Sequence, residues 1–188
     1  MTGLLWALSV AWADEPAERA TPSIEPWAQL GAGLELRPRA EAAEFIALRA
    51  GLEAQSSLRL GVEVSWAPPR ALDRLGELRG YSAVSVSAGG WWWAGGAWSP
   101  GLGCVVELST RSFYGAEGLV HRALLPALGV EASVAVPLGE RAAIVPSARL
   151  TTDLRRVELR VDGQPVELMS PWGLQGSLTV LIPRVELP

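Results

Sequence analysis

The chain has 188 residues, a length that suits one domain with a sizeable core. A formal net charge of -4 offers no basic surface for nucleic acid, and the single cysteine, Cys104, excludes an intrachain disulfide and a multi-cysteine metal site. The single histidine, His121, removes His-rich metal chemistry, and no Gly-rich stretch precedes a helix to cradle phosphate, so no metal and no cofactor are expected.

In chain order, Leu4 to Val10 is apolar, and Ala11-Trp12-Ala13 fits the small-x-small pattern of a signal-peptidase site. Residues 1–13 are therefore read as a signal peptide, although Met1-Thr2-Gly3 lacks the usual side-chain positive charge. Residues 14–26 read as a solvated periplasmic leader, and 27–188 as the folded domain.

From Trp27 the sequence alternates. Strands put successive side chains on opposite faces, so period-2 patterning predicts strands over Trp27–Arg37, Glu44–Gln55, Leu58–Ala67, Tyr81–Trp92, Trp98–Ser109, Leu124–Pro137, Ala142–Leu154 and Val166–Ile182. In Leu58–Ala67, Leu58, Leu60, Val62, Val64 and Trp66 form one face, and Arg59, Gly61, Glu63, Ser65 and Ala67 the other. The seventh pattern persists through Val157, Leu159 and Val161 to a hairpin signal at Asp162-Gly163. Gln55–Ser57, Ala94–Gly96 and Leu138–Glu140 are short turns. Pro38–Ala43, Pro68–Arg79 and Thr110–Arg122 are longer connections, and Pro68–Arg79 has room for a helical turn. Eight strands with connections of alternating length predict an antiparallel up-and-down meander whose long loops collect at one end. Gly80–Val106 carries no charge and is long enough for a membrane helix, but its Gly-Gly pairs, Pro100 and alternation favour two strands.

Alternation leaves open which face points inward. A soluble barrel or sandwich buries the apolar face; an outer-membrane barrel shows it to lipid. The apolar face here is nearly free of charge, the other is mostly Gly, Ala and Ser, and the chain contains no lysine. Small residues suit the narrow interior of an eight-stranded barrel. The sparse charges on that face pair by register. The turn at Gln55–Ser57 sets Glu53 opposite Arg59 and Arg49 opposite Glu63, and Glu131 and Arg149 come within one diagonal step around Leu138–Glu140. Glu35 and Glu107 share the same phase, so all eight are assigned to an interior charge network. Trp27, Trp66, Trp91, Trp92, Trp93, Trp98 and Trp172 lie near predicted strand ends and are assigned to interfacial aromatic belts.

With these strands, paired charges and tryptophans, the stretch from Trp27 to Pro183 resembles the small outer-membrane β-barrels of Gram-negative bacteria, of the OmpA-transmembrane-domain or OmpX type. The resemblance implies an eight-stranded barrel in the outer membrane, both termini in the periplasm and long loops outside. Such barrels usually end on an aromatic residue, whereas this chain ends Val185-Glu186-Leu187-Pro188.

One constellation could support catalysis: His121 with Ser109, Ser112 and Glu117 near the outer rim. It lacks the closely spaced His and Ser on one strand that lipid-modifying barrel enzymes carry, because Arg122 and Ala123 follow His121. Cys104 falls on the apolar face as a small apolar residue. The expected protein is thus a non-enzymatic all-β transmembrane barrel with a structural, adhesive or narrow-pore role. Its expected partners are outer-membrane lipid and an extracellular ligand met through residues 68–79 and 110–122, with no nucleic acid and a monomeric state. A soluble periplasmic barrel or sandwich binding an apolar ligand, and a lipid-modifying barrel enzyme, remain as alternatives.

Overall fold

A computed structural model of the chain describes residues 24–37, 42–54, 57–75, 78–94, 98–139, 142–156, 158–161, 164–167 and 170–182. The candidate signal peptide (1–13), most of the leader and the C-terminal Val185–Pro188 lie outside these residues. Every regular element described is a β-strand: β1 (Ile24–Leu36), β2 (Ala43–Ala54), β3 (Leu58–Leu75), β4 (Leu78–Trp93), β5 (Ser99–Gly115), β6 (Gly118–Pro137), β7 (Ala143–Asp153), β8 (Glu158–Val161), β9 (Gln164–Glu167) and β10 (Trp172–Ile182). Eight of them close into one antiparallel barrel as β1 to β7 and then β10, which returns to β1; β8 and β9 form a separate hairpin.

The register determines the dimensions. Directly opposed residues run Ile24, Ala54, Leu58, Trp92, Leu102, Ala132, Ala148, Gly176 and then Leu34, so one circuit of the wall returns to β1 ten residues further along. Eight strands with that displacement tilt by ~40° and give a backbone radius of roughly 8 Å. Up to the register shifts in β3–β6, partners carry numbers of equal parity, as in Leu48 with Val64 and Glu131 with Arg149. Even-numbered side chains therefore face outward and odd-numbered ones inward around the barrel below those shifts. Val62 and Val130 are more than half exposed on the outside, whereas Arg149 is 5% exposed inside.

Several differences from the sequence expectation concern strand length. First, β1 starts at Ile24, so 24–26 belong to the wall rather than the leader; they supply the ladder partners of Ala54, Glu53 and Leu52. Second, Pro68–Arg79 contains no helical turn in its described residues, because β3 runs to Leu75 and β4 begins at Leu78. The Pro68-Pro69 pair falls where the register shifts between Ala67 and Arg70, since proline has no N–H to give the ladder. Third, Thr110–Arg122 is a continuation of β5 and β6 around a turn at Ala116 and Glu117. The sheet β3–β6 thus extends beyond the rest of the barrel, and the register shifts recorded in it lie in this extension. The seventh strand also stops earlier than its pattern suggested: β7 ends at Asp153, the chain bends at Leu154, and β8–β9 pair with each other, with Asp162-Gly163 outside the described residues.

If the barrel spans a bilayer as the sequence leads one to expect, outward positions near the middle of the wall face hydrocarbon. Val62→Arg and Val130→Arg should each destabilise the folded protein in lipid vesicles by roughly 2–4 kcal/mol. Denaturant titration in vesicles measures this, and wild-type midpoints for both variants would refute a lipid-facing even-numbered wall.

Candidate functional site

The interior is the feature with the most chemistry. A wall of ~8 Å radius leaves about 16 Å between backbones across the axis, a gap that an extended Arg and an extended Glu joined by a hydrogen bond can span. The centre is filled in this way. Arg49 on β2 donates to Glu63 on neighbouring β3 (Nε–Oε2, 2.9 Å) and to Glu131 on β6, four strands away (Nη1–Oε1 and Nη2–Oε2, both 2.9 Å). Arg149 on β7 mirrors it, donating to neighbouring Glu131 (Nη2–Oε2, 2.7 Å) and across to Glu63 on β3 (Nη1–Oε1, 2.7 Å). All four side chains are buried. Two cations and two anions make a neutral square in which each arginine bonds one adjacent and one opposite carboxylate. Glu131 and Arg149 are direct register partners rather than diagonal ones.

A second charged layer lies further from the short turns. Asp153 at the end of β7 accepts from Arg111 on β5 through both oxygens (2.8 and 3.1 Å) and from Arg37 (2.9 Å), whose Nε donates to Glu35 (2.5 Å). Arg37 also donates to the carbonyl of Ser170 (3.3 Å) and lies over Gly173, where an added Cβ would come 3.0 Å from its Cζ. Arg37 therefore reaches from the first strand over the last to β7, across the seam that closes the barrel. Glu107 is buried beside this layer and accepts a hydrogen bond from Ser85. Sequence reasoning assigned Glu35 and Glu107 inward but left out Arg37, Arg111 and Asp153. Arg37 and Asp153 carry the inward phase in the sequence; Arg111 falls in Thr110–Arg122, whose pattern reads as a connection.

At the short-turn end the interior is aromatic, which corrects part of the tryptophan assignment. Trp27, Trp91 and Trp93 are buried inside with Val105, Ala135, Ala143, Val145 and Leu181. Trp27 and Trp91 meet edge to face, with centroids 6.0 Å apart. Arg49 stacks over Trp91 at 4.4 Å and Arg59 over Trp93 at 4.7 Å. Gly103 makes room for Trp91, whose Nε1 would lie 2.6 Å from a Cβ there. Their odd numbers put them inside, and strand-end position alone misassigned them. The three indole N–H groups and Arg59 Nη1 are buried without a hydrogen-bond partner, so ring area rather than hydrogen bonding holds this floor together. Arg59 donates to Glu53 (2.8 Å), and both are less buried than the central square. Trp66, Trp92, Trp98 and Trp172 are exposed on the outer wall. Trp92 and Trp98 lie near the short turns and Trp66 and Trp172 toward the other end, the two pairs separated by roughly 20–25 Å along the axis.

Above the second charged layer, Tyr81 and Phe113 are fully buried and stacked, with centroids 6.3 Å apart. His121 lies against Phe113 at 6.1 Å. Ser109 and Ser112 are buried, Glu117 is exposed at the β5–β6 turn, and no hydrogen bond among the described residues joins any of them to His121.

Removing one member of the square leaves buried charge uncompensated. Arg149→Ala should cost about 3–5 kcal/mol. Arg59→Ala should cost less, and adding Glu53→Ala to it should recover part of the loss. Equilibrium unfolding of the four proteins tests the order; an Arg149 variant no worse than the Arg59 variant would show that the centre is solvated.

No protein-family model and no curated protein sequence matches the chain. Solved structures do. Neisserial surface protein A is 14% identical with a TM-score of 0.62, over 87% of this chain and 99% of that one. The N-terminal β-barrel domain of Pseudomonas aeruginosa OprF is 8% identical with a TM-score of 0.54, over 86% and 98%. Ail, the attachment invasion locus protein of Yersinia pestis, solved with the heparin analogue sucrose octasulfate, is 11% identical with a TM-score of 0.52, over 85% and 96%. At such identities the likeness is one of fold, and the fold is that of the small eight-stranded outer-membrane β-barrels.

Proposed function

We propose that the protein is an integral outer-membrane barrel, closed to solutes and non-enzymatic, that works through the sheet it extends beyond the membrane. The observation that carries this reading is the filled interior. The aromatic floor of Trp27, Trp91 and Trp93, the square of Arg49, Glu63, Glu131 and Arg149, the layer around Asp153 and the Tyr81–Phe113 stack succeed one another along the axis. Packing of this kind favours a structural or adhesive role over a pore. It also disfavours a soluble carrier of apolar ligands, because the large aliphatic side chains point outward and the centre is ionic. The imidazole of His121 leans on a ring rather than on Ser109 or Ser112, which weighs against hydrolase chemistry. Ail supports the adhesive reading by analogy, as an attachment protein on the same fold. The part that meets an extracellular ligand is then the β3–β6 extension, whose tips are residues 68–79 and 110–122.

Planar-bilayer recordings should show no stable open state; a steady conductance would replace the closed barrel with a pore. Orientation has its own measurement. In a Cys104→Ser background, Glu117→Cys should react with an impermeant maleimide on intact cells and Leu138→Cys should not. The opposite pattern would put the extension in the periplasm.

A further inference from the structure

The outer wall changes character at the upper ends of β6 and β7. Below that level the outward positions of these strands are uncharged. Above it, Arg122 is exposed at an outward position on β6, and Arg155 and Arg156 are exposed just beyond the end of β7. The N–H of Leu154 donates to the carbonyl of Pro126 (2.7 Å), so the chain leaving β7 still runs beside β6 at that point. Arg122 is four residues from Pro126 and Arg156 two from Leu154, so all three arginines start within about 13 Å of that bond. The five arginines inside the barrel are all ion-paired; these three have no carboxylate partner among the described residues.

The surface beneath them is apolar. Leu124 and Leu154 are exposed directly below the arginines, with Leu150 further down. Next come Ala132, Ala148 and Gly176, which are direct register partners across β6, β7 and β10, and all three are exposed. An added Cβ on Gly176 would meet nothing within 4 Å, so the outer surface over this row of small residues is open near the wall's mid-height.

We propose that Arg122, Arg155 and Arg156 bind the phosphate of a lipid headgroup whose acyl chain lies against Leu124, Leu154 and Leu150 and ends over the Ala132–Ala148–Gly176 row. The planar guanidinium fork matches phosphate oxygens, and three cations with no carboxylate partner among the described residues leave a charge that a phosphorylated headgroup complements. The apolar surface directly below them selects a lipid over a free anion. This inference rests on the reading of the barrel as a membrane protein and adds to it a specific lipid site on one side of the wall.

The test uses the folded full chain in neutral-detergent micelles, titrated with diphosphorylated lipid A and, in parallel, with the same lipid lacking its phosphates. Native mass spectrometry reads the bound fraction. The phosphorylated lipid should bind at least tenfold more tightly than the phosphate-free one. Replacing all three arginines by alanine should remove at least tenfold of that affinity, and replacing them by lysine should restore part of it. Heat-modifiable gel mobility confirms folding of each variant, and wild-type folding into lipid vesicles tests the membrane reading separately. A folded triple-alanine variant that binds like wild type would overturn the site. Equal binding of the phosphate-free lipid would overturn the role of phosphate, and displacement by equimolar inorganic phosphate would assign the site to a free anion.

Discussion

Closure of the wall is the constraint on which the other features depend. A backbone crossing hydrocarbon must satisfy every N–H and C=O internally, and a sheet can do so only without edges. Here β10 returns to β1 with a displacement of ten residues. That displacement sets the tilt, the tilt sets a radius of roughly 8 Å, and the radius decides what can fill the inside. Small residues alone would leave a channel. Facing aromatic side chains close the two ends, and at the centre an arginine meeting a glutamate from the opposite strand bridges the gap.

An ionic centre is a costly way to fill a barrel, because each buried ion gives up its hydration. The arrangement limits that cost by sharing. Glu63 and Glu131 each accept from both Arg49 and Arg149, so the square is neutral and its charged groups face opposite charge. Cross-wall bonds also tie β2 to β6 and β7 to β3, which resists flattening of the barrel in a way that neighbour-only pairs would not. Arg37 does the comparable work at the seam, where the first and last strands meet and where no covalent turn holds them together.

Filling the interior moves any external role to surfaces outside the barrel. The β3–β6 extension and the arginines above β6 and β7 are two such surfaces, and they differ in physical kind. The extension is backbone-paired sheet continued past the level where lipid would cover it, with its register shifts gathered there. A shift inside the wall would turn part of one strand's apolar side chains inward, and beyond the hydrocarbon it carries no such penalty. The arginines instead stand where the uncharged outward positions of β6 and β7 end, so a charged group there can stay hydrated beside an apolar surface.

By itself the sequence determined what depends on near neighbours. Period-2 alternation made Leu58–Ala67 a strand with an apolar face, and the short turn after β2 set Arg49 opposite Glu63 and Glu53 opposite Arg59. The same parity already placed Trp27, Trp91 and Trp93 inside, although strand-end position suggested the interface. Strand length beyond the apolar band was harder to read, because residues beyond that band lose the contrast between faces that marks a strand; Thr110–Arg122 reads as a loop and is two paired strands. Only the tertiary structure decided the contacts across the barrel. The bonds from Arg49 to Glu131, Arg149 to Glu63 and Arg111 to Asp153 join residues 82, 86 and 42 positions apart. Which residues meet there depends on the displacement accumulated over all eight strands, a property of the closed wall that no local stretch of sequence carries.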